Sequence, residues 1–146
     1  QFQTQISEVL ELERLTVGDM VPPDQEPVMV GADASVDDVQ AAAARTDHMR
    51  ILLSHPAGGL PAVIHVRDTL TLPSGHPAAD LAREAFSLHP SVPVYEALAR
   101  MRERSEQLAV VVAGDRVLGL ITVADIMRRV LPSTVRSGAP RGDRSA

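Results

Sequence analysis

The sequence predicts an α+β fold of two tandem units, each with the order strand–helix–strand–strand–helix, packed as a pseudo-twofold pair. An internal repeat is the first observation, because PAVIHVRDTL (61–70) aligns with LGLITVADIM (118–127). A short apolar run of strand length precedes each of these segments. Farther upstream, each copy has a serine-led stretch of helical period, SVDDVQAAAART (35–46) and SVPVYEALARMR (91–102).

Each element of the unit follows from a local pattern. Ser35 and Ser91 are expected to cap the helices that follow them, since a serine hydroxyl accepts a hydrogen bond from a free N–H of the first turn. The stretches SHPAGG and AGD predict the turns between the second and third strands. The first two strands of each copy are expected at four apolar runs, near 26–32 and 50–54 in copy one and near 84–90 and 107–111 in copy two.

These elements divide the chain into five parts. The break at LPSGHP separates the two copies, and the small polar residues at the end of the chain predict a flexible tail. The predicted parts are an N-terminal linker helix (1–15), unit one (16–72), a linker (73–83), unit two (84–132) and the tail (133–146).

Composition excludes several classes of protein. A hydrophobic fraction of 45% over 146 residues predicts a folded globular chain. A net charge of −5, two phenylalanines, one tyrosine and no tryptophan argue against a nucleic-acid partner. No cysteine is present, and no histidine pair or serine motif predicts a metal centre or a catalytic nucleophile, so an enzyme is not expected. The 14 basic residues are all arginine, which indicates a GC-rich, bacterial genome.

Two polar residues lie where a strand meets a helix within GLITVADIM (119–127). Asp125 falls in the first turn of the predicted helix, where free N–H groups favour a carboxylate or a phosphate. Its oxygens can also accept both hydroxyls of a ribose, and Thr122 can donate and accept beside it. Gly119 allows close approach of a backbone or a ring. Thr122 and Asp125 therefore form either a helix cap or a nucleotide site.

The order, spacing and duplication of these elements resemble a tandem pair of cystathionine-β-synthase (CBS) domains, the Bateman module, over roughly residues 16–132. More narrowly, VLELERLTVGDMVPP (9–23) is similar to the segment that leads into the CBS pair of CorC and CNNM-type (hemolysin-like) magnesium and cobalt transport proteins. HMRILLS (48–54), VIHVRDTL (63–70) and the stretch 107–131 resemble the strands and last helix of the same family.

This resemblance implies that an adenosine nucleotide binds between the two copies. Thr122 and Asp125 would hold its ribose and phosphate, and Arg50 would face the phosphates. A surface arginine on a strand edge is an equally good interpretation of Arg50. Val21 and Ile51 would lie beside the adenine, and plain core packing explains both of them at least as well.

A second site is implied at the matching junction of the first copy. His65, Asp68 and Arg67 lie there, with Asp68 in the place of Asp125. Ala62 replaces the glycine and His65 replaces the hydroxyl residue, so we expect this site to be weak or empty.

The resemblance implies a regulatory domain rather than a catalyst. The expected ligand is ATP or another adenosine nucleotide, with magnesium only as the ion that accompanies ATP. Val21 and Pro23 stand where the family often has threonine and a polar residue, which counts against a triphosphate. The expected partners are a second copy of the chain and a transmembrane domain preceding Gln1, which would place the chain at the cytoplasmic face of the cell membrane.

Two alternatives belong to other classes. One is a ligand-free CBS pair that acts only in dimerisation and structural coupling, as the residues at 21, 23, 62 and 65 suggest. The other is a stand-alone nucleotide sensor that acts on a separate protein.

Overall fold

Two three-stranded sheets of identical topology organise the chain, which is described here as a computed structural model covering residues 15–23 and 26–131. In each sheet the middle strand pairs in parallel with the strand before it and antiparallel with the strand after it. The predicted duplication and the predicted α+β fold are therefore confirmed. Most of the N-terminal linker helix (1–14) and all of the tail (133–146) lie outside the described residues.

The first unit begins with a short lead-in helix and ends in a 3₁₀ helix. Its elements are α1 (Val17–Met20), β1 (Met29–Val30), α2 (Val36–Thr46), β2 (Arg50–Leu53), β3 (Ala62–His65) and the 3₁₀ helix Val66–Thr71.

The second unit repeats this order and closes with a regular α-helix. Its elements are a 3₁₀ helix (Ala78–Leu81), β4 (Ser87–Leu88), α3 (Val94–Glu103), β5 (Leu108–Ala113), β6 (Arg116–Thr122) and α4 (Val123–Val130). The predicted turns are confirmed: Gly58, Gly59 and Gly114 have φ of 83°, 93° and 61°, a region that favours glycine.

One of the two predicted serine caps is present. The Ser35 hydroxyl accepts the Asp38 N–H, and the Asp38 carboxylate accepts the Ser35 N–H at 3.0 Å. The expectation for Ser91 is wrong, because α3 begins after Pro93 and has no side-chain cap. Ser91 instead bonds to the His89 ring at 2.8 Å. Proline replaces the cap because its fixed φ already suits the start of a helix.

The closing helix of the first copy also differs from the prediction. Val66–Thr71 forms a 3₁₀ helix with no side-chain cap, whereas α4 in the second copy is capped by Thr122. His65 occupies the capping position and lacks the hydroxyl that would accept a first-turn N–H. Thr69 holds this turn instead: its buried hydroxyl donates to the Val66 carbonyl at 2.7 Å and accepts from Gln40 at 2.9 Å.

Each unit completes the core of the other. Leu15 and Val17 lie at the N-terminal end of the first unit but are buried in the core of the second, where the Val17 N–H donates to the Val92 carbonyl at 2.8 Å. Ala78, within the predicted linker, is buried in the core of the first unit, and its N–H donates to the Ala34 carbonyl at 2.9 Å. The boundaries 16–72 and 84–132 stay predictions, and packing crosses both of them.

The two sheets meet through an inter-sheet cluster of Leu52, Val63 and Val110, all of them buried. Leu108 and Leu120 pack against the same cluster. Side chains alternate along a strand, so Leu52 and Val63 face the second unit while Ile51 and Ile64 face the core of the first. No helix in the described ranges has the length and apolar character needed to cross a membrane.

The packing of the lead-in helix in the core of the second unit can be tested by substituting Val17, which is fully buried. Val17→Ala should lower the free energy of unfolding by about 2 kcal/mol, because a buried valine side chain leaves a partly collapsed gap. Urea denaturation of both variants measures the change. Leu70→Ala is the control, since Leu70 is 71% exposed and its truncation should cost less than about 0.5 kcal/mol. Equal costs at the two positions would contradict the exchanged packing.

Candidate functional site

Thr122 and Asp125 form a reciprocal capping box at the start of α4. The Thr122 hydroxyl accepts the Asp125 N–H at 3.0 Å, and the Asp125 Oδ2 accepts the Thr122 N–H at 3.0 Å. Asp125 Oδ1 pairs with Arg128. Thr122 and Asp125 therefore do cap the helix, as one of the two interpretations of this motif predicts. Each carboxylate oxygen retains a second lone pair, so the cap leaves acceptor capacity toward a ligand.

The same bonding occurs at two other helix starts, which shows how local the pattern is. Thr16 and Asp19 form one such box, and Ser35 and Asp38 form another. The backbone and hydroxyl hydrogen bonds from Thr16 hold the pKa of Asp19 below its usual value. The spacing of Thr122 and Asp125 alone therefore carries no evidence for a ligand.

Gly119 of β6 lies against the lead-in segment, residues 15–23. A Cβ at this position would lie 2.6 Å from Cγ1 of Val21, closer than real Cβ contacts allow. A close approach is therefore present, but a valine side chain makes it and not the backbone or ring that the sequence suggested. Val21 also packs against the core of the second unit.

Three cavities adjoin this junction, and the largest of them, about 700 Å³, is lined by residues 18, 21–23, 26, 27, 29 and 115–118. The Asp125 cavity, about 420 Å³, is lined by Asp19, Met20, Pro22, Leu120, Asp125, Arg128 and Arg129. The Gly119 cavity, about 110 Å³, is lined by Val21, Pro22, Glu26, Pro27, His48, Gly119 and Leu120. Pro22 and Leu120 line both the Asp125 cavity and the Gly119 cavity, so these two cavities are neighbours along one cleft between the lead-in segment and β6. We name it the lead-in cleft.

A separate cavity of about 300 Å³ lies at the junction of the first copy, and we name it the His65 cavity. Both units line it. Its residues are Arg50, Val63, His65, Arg67, Arg83–Phe86 and Ser105–Leu108. It shares no residue with the Asp125 and Gly119 cavities.

Arginines dominate the charge of the His65 cavity. Arg83 donates to Asp68 at 2.9 Å, and Arg67 lies 4.0 Å from the same carboxylate. Arg50 takes part in none of the ion pairs found among the described residues. Its guanidinium is therefore available to a ligand anion.

His65 lies directly across from Arg50 in the register of β2 and β3. Burial and the charges of Arg67 and Arg50 lower the pKa of His65, while Asp68 acts in the opposite direction. The His65 Nδ1 is buried and has no hydrogen-bond partner among the described residues. The ring is therefore a neutral polar group on a basic wall.

The structure thus divides the predicted site residues between two places. Asp125, Gly119 and Val21 line the lead-in cleft, and Thr122 caps the helix there with Asp125. Arg50 does not join them, because it faces the His65 cavity with His65 and Arg67. The Ile51 side chain is fully buried in the first core and lines none of these cavities, so the core interpretation of Ile51 holds. Asp68 lies beside the His65 cavity and pairs with Arg83.

Sequence reasoning missed the contribution of the second unit to the His65 cavity, above all Arg83, Glu84, Phe86 and the stretch 105–108. The repeat contained the signal. His48 lines the Gly119 cavity, and Glu106, which the strand register places at the matching position 58 residues later (106 − 48), lines the His65 cavity. Glu26 and Glu84 correspond in the same way, each three residues before the first strand of its unit.

Two similar units, joined across their sheets and enclosing cavities lined by both, define the architecture of a CBS pair. Residues 78–132 match the family model of the CBS domain. An uncharacterized protein of Mycobacterium tuberculosis (strain ATCC 25618 / H37Rv) is 30% identical over 116 residues, which are 77% of this chain. The chain spans about one third (33%) of the length of that relative.

Solved structures of CBS domains have the same fold. The CBS domain of the bacterial CNNM/CorC family Mg²⁺ transporter in complex with ATP matches with a TM-score of 0.76 and 21% identity, over 89% of this chain and 96% of that one. A hemolysin-like CBS protein of Oenococcus oeni PSU matches with a TM-score of 0.72 and 13% identity, over 87% and 98%. A CBS domain protein of Pyrobaculum aerophilum complexed with AMP gives 0.66 and 21%, over 80% and 98%.

The chain therefore contains a CBS domain at residues 78–132 and has the fold of the CBS domains of CNNM/CorC and hemolysin-like proteins. The predicted resemblance is confirmed. CBS domains are regulatory modules without catalysis of their own, in keeping with the expectation of a non-enzyme.

The cap can be tested separately from any ligand. Thr122→Val keeps the shape of the side chain but removes the oxygen that accepts the Asp125 N–H, so it should lower the free energy of unfolding by about 1 kcal/mol. Thr122→Ser retains that oxygen and is the matched control. Chemical denaturation of the three chains gives the comparison, and indistinguishable stabilities for the valine and serine variants would contradict the cap.

The contact of Gly119 with Val21 predicts energetic coupling. Gly119→Ala should destabilise the fold by about 1–3 kcal/mol, because a stiff β-branched side chain must move. Adding Val21→Ala should recover about 1 kcal/mol of that loss relative to additive costs. Gly31→Ala is the control, since its Cβ would meet only Asp33 Oδ1 at an ordinary 3.5 Å. Additive costs for Gly119 and Val21 in a double-mutant cycle would argue against the contact.

Proposed function

We propose that this chain is a regulatory CBS pair that binds an adenosine nucleotide, and that it forms the cytosolic part of a CorC-type transport protein for divalent cations. The observation that carries the proposal is the His65 cavity, which both units line and which presents the unpaired guanidinium of Arg50. Its volume of about 300 Å³ lies at the lower limit of small-molecule sites. Related folds hold ATP and AMP in their complexes, which supports the ligand class.

The phosphates are proposed to lie against Arg50, with Arg67 and Arg83 near the rim. A guanidinium suits phosphate oxygens because it offers several N–H donors in a planar fork. Glu84 and Glu106 line the same cavity and oppose a highly charged anion. This balance favours a nucleotide with few phosphates, in line with the expectation from Val21 and Pro23. Magnesium enters only as the ion bound to ATP.

The lead-in cleft is the second proposed position for the ligand. There Asp125 would accept the ribose hydroxyls through its remaining lone pairs, beside Thr122 and the helix N-terminus. The Val21 side chain lies over Gly119 and narrows this cleft. For that reason we favour the His65 cavity, which reverses the ranking expected from the sequence.

Regulation would follow from the position of the ligand between the units. A nucleotide that binds one arrangement of the pair, or of a homodimer of pairs, more tightly than another shifts the population toward it. That shift would be transmitted to a transmembrane domain of the same protein. A ligand with equal affinity for both arrangements would have no effect.

The alternative is a ligand-free pair that serves only in dimerisation. Two observations favour it at the lead-in cleft: Asp125 is already engaged by the cap and by Arg128, and Val21 covers Gly119. Neither observation applies to the His65 cavity.

Calorimetric titration with AMP, ADP and ATP, with and without magnesium, tests the proposal. At least one nucleotide should bind, and Arg50→Gln should weaken it by about tenfold or more because a charge-assisted hydrogen bond is lost. Arg45→Gln is the matched control, an arginine on the exposed side of α2 outside every cavity described above. Asp125→Asn keeps the cap acceptor and should leave binding in the His65 cavity unchanged.

The outcomes separate the possibilities. Loss of binding in Asp125→Asn but not in Arg50→Gln would move the ligand to the lead-in cleft. Absence of binding by every nucleotide at millimolar concentration would overturn the nucleotide proposal and leave the ligand-free pair.

A further inference from the structure

The wall of the His65 cavity combines a titratable ring with an unpaired cation. Arg50 and His65 are directly opposite each other on neighbouring strands, and both point toward the second unit, as Leu52 and Val63 do. Such directly opposed residues have Cβ atoms about 4.5–5.5 Å apart. A ligand anion that reaches Arg50 therefore also lies close to the imidazole.

We propose that binding of a phosphate-bearing nucleotide in the His65 cavity is coupled to the uptake of a proton by His65. This inference rests on the proposed nucleotide function and adds a pH dependence to it. The cavity would then respond to the proton concentration as well as to the nucleotide.

The charges around the ring determine its protonation before a ligand arrives. The surrounding elements each contribute at least one of them: Arg50 from β2, Arg67 and Asp68 from the 3₁₀ helix, Arg83 from the linker, Glu84 from the start of the second unit, and Glu106 from the loop before β5. Burial and the nearby arginines hold the pKa of His65 below its ordinary value, so the ring is neutral near pH 7 in the free protein.

A bound phosphate places negative charge beside the ring, and this charge opposes the effect of the nearby arginines on the pKa of His65. An anion within about 4–6 Å of a titratable group favours its charged form, so the pKa of His65 rises in the complex. The complex then binds more protons than the free protein at any pH between the two pKa values. By linkage, affinity increases as the pH falls through the pKa of the complex and levels off below the pKa of the free protein.

The two ring nitrogens decide where the proton is taken up. The His65 Nδ1 is buried and unpaired, so the ring reaches the cavity through its other edge. The proton is taken up at Nε2, which then donates a hydrogen bond to a phosphate oxygen, and His65→Gln retains an N–H donor there without a titratable group.

The experiment is calorimetric titration of the wild-type chain and of His65→Gln with AMP, in two buffers of different ionisation enthalpy. The phosphate of AMP titrates near pH 6, but its ionisation is common to both chains and cancels in their difference. Relative to His65→Gln, the wild type should take up a fraction of a proton. Its affinity should gain about three- to tenfold between about pH 8 and pH 6.

A measurement on the wild type alone guards against misfolding of the variant. The imidazole proton resonance of His65 should titrate at a higher pH with saturating AMP than without it. His48→Gln distinguishes the cavities, since His48 lines the Gly119 cavity. Proton uptake that disappears in His48→Gln and persists in His65→Gln would overturn the inference.

Two further outcomes separate this inference from the proposed function. AMP binding with equal proton uptake in wild type and His65→Gln, and an unchanged His65 resonance, would overturn the inference and leave nucleotide binding intact. Absence of binding by AMP and ATP alike would overturn both.

Discussion

The contact between the two sheets is the constraint on which the rest of the molecule depends. Leu52, Val63 and Val110 are buried between the units, and their strands must keep one register to bring these side chains to the same interface. Residues two positions farther along the strands share that face and extend beyond the cluster. Thr122 and His65 are such residues, each the last of its strand. His65 lines its cavity next to Val63 of the inter-sheet cluster, so that cavity begins where the packing between the sheets ends.

The segment at the start of each unit packs in the core of the other unit, so the two cores depend on each other. Val17 completes the second core and Ala78 completes the first, so neither unit as defined by its repeat contains all of its own core. The exchange also brings Val21 onto Gly119 and Arg83 alongside β3, where its backbone pairs with Val63 in both directions. The walls of the cavities are therefore made by segments that connect the units.

The repeat was sufficient to predict the order of elements, the turns and the fold, because periodicity and glycine position are local properties. It could not decide between a cap and a ligand site at Thr122, since the same spacing caps a helix at Thr16 and at Ser35. The sequence also could not predict which cavity Arg50 lines. Its direction depends on the pairing of β2 with β3 and on which sheet face meets the other unit, both of them long-range properties.

The two junctions differ in how the helix after the strand is capped. Where the second copy has Thr122, the hydroxyl and Asp125 cap each other's backbone, and a regular helix follows. Where the first copy has His65, no cap forms and the chain continues as a 3₁₀ helix. Asp68 is then free of the capping role and accepts a hydrogen bond from Arg83 of the linker instead. With no hydroxyl at position 65, the Asp68 carboxylate binds the linker and an imidazole lines the cavity wall.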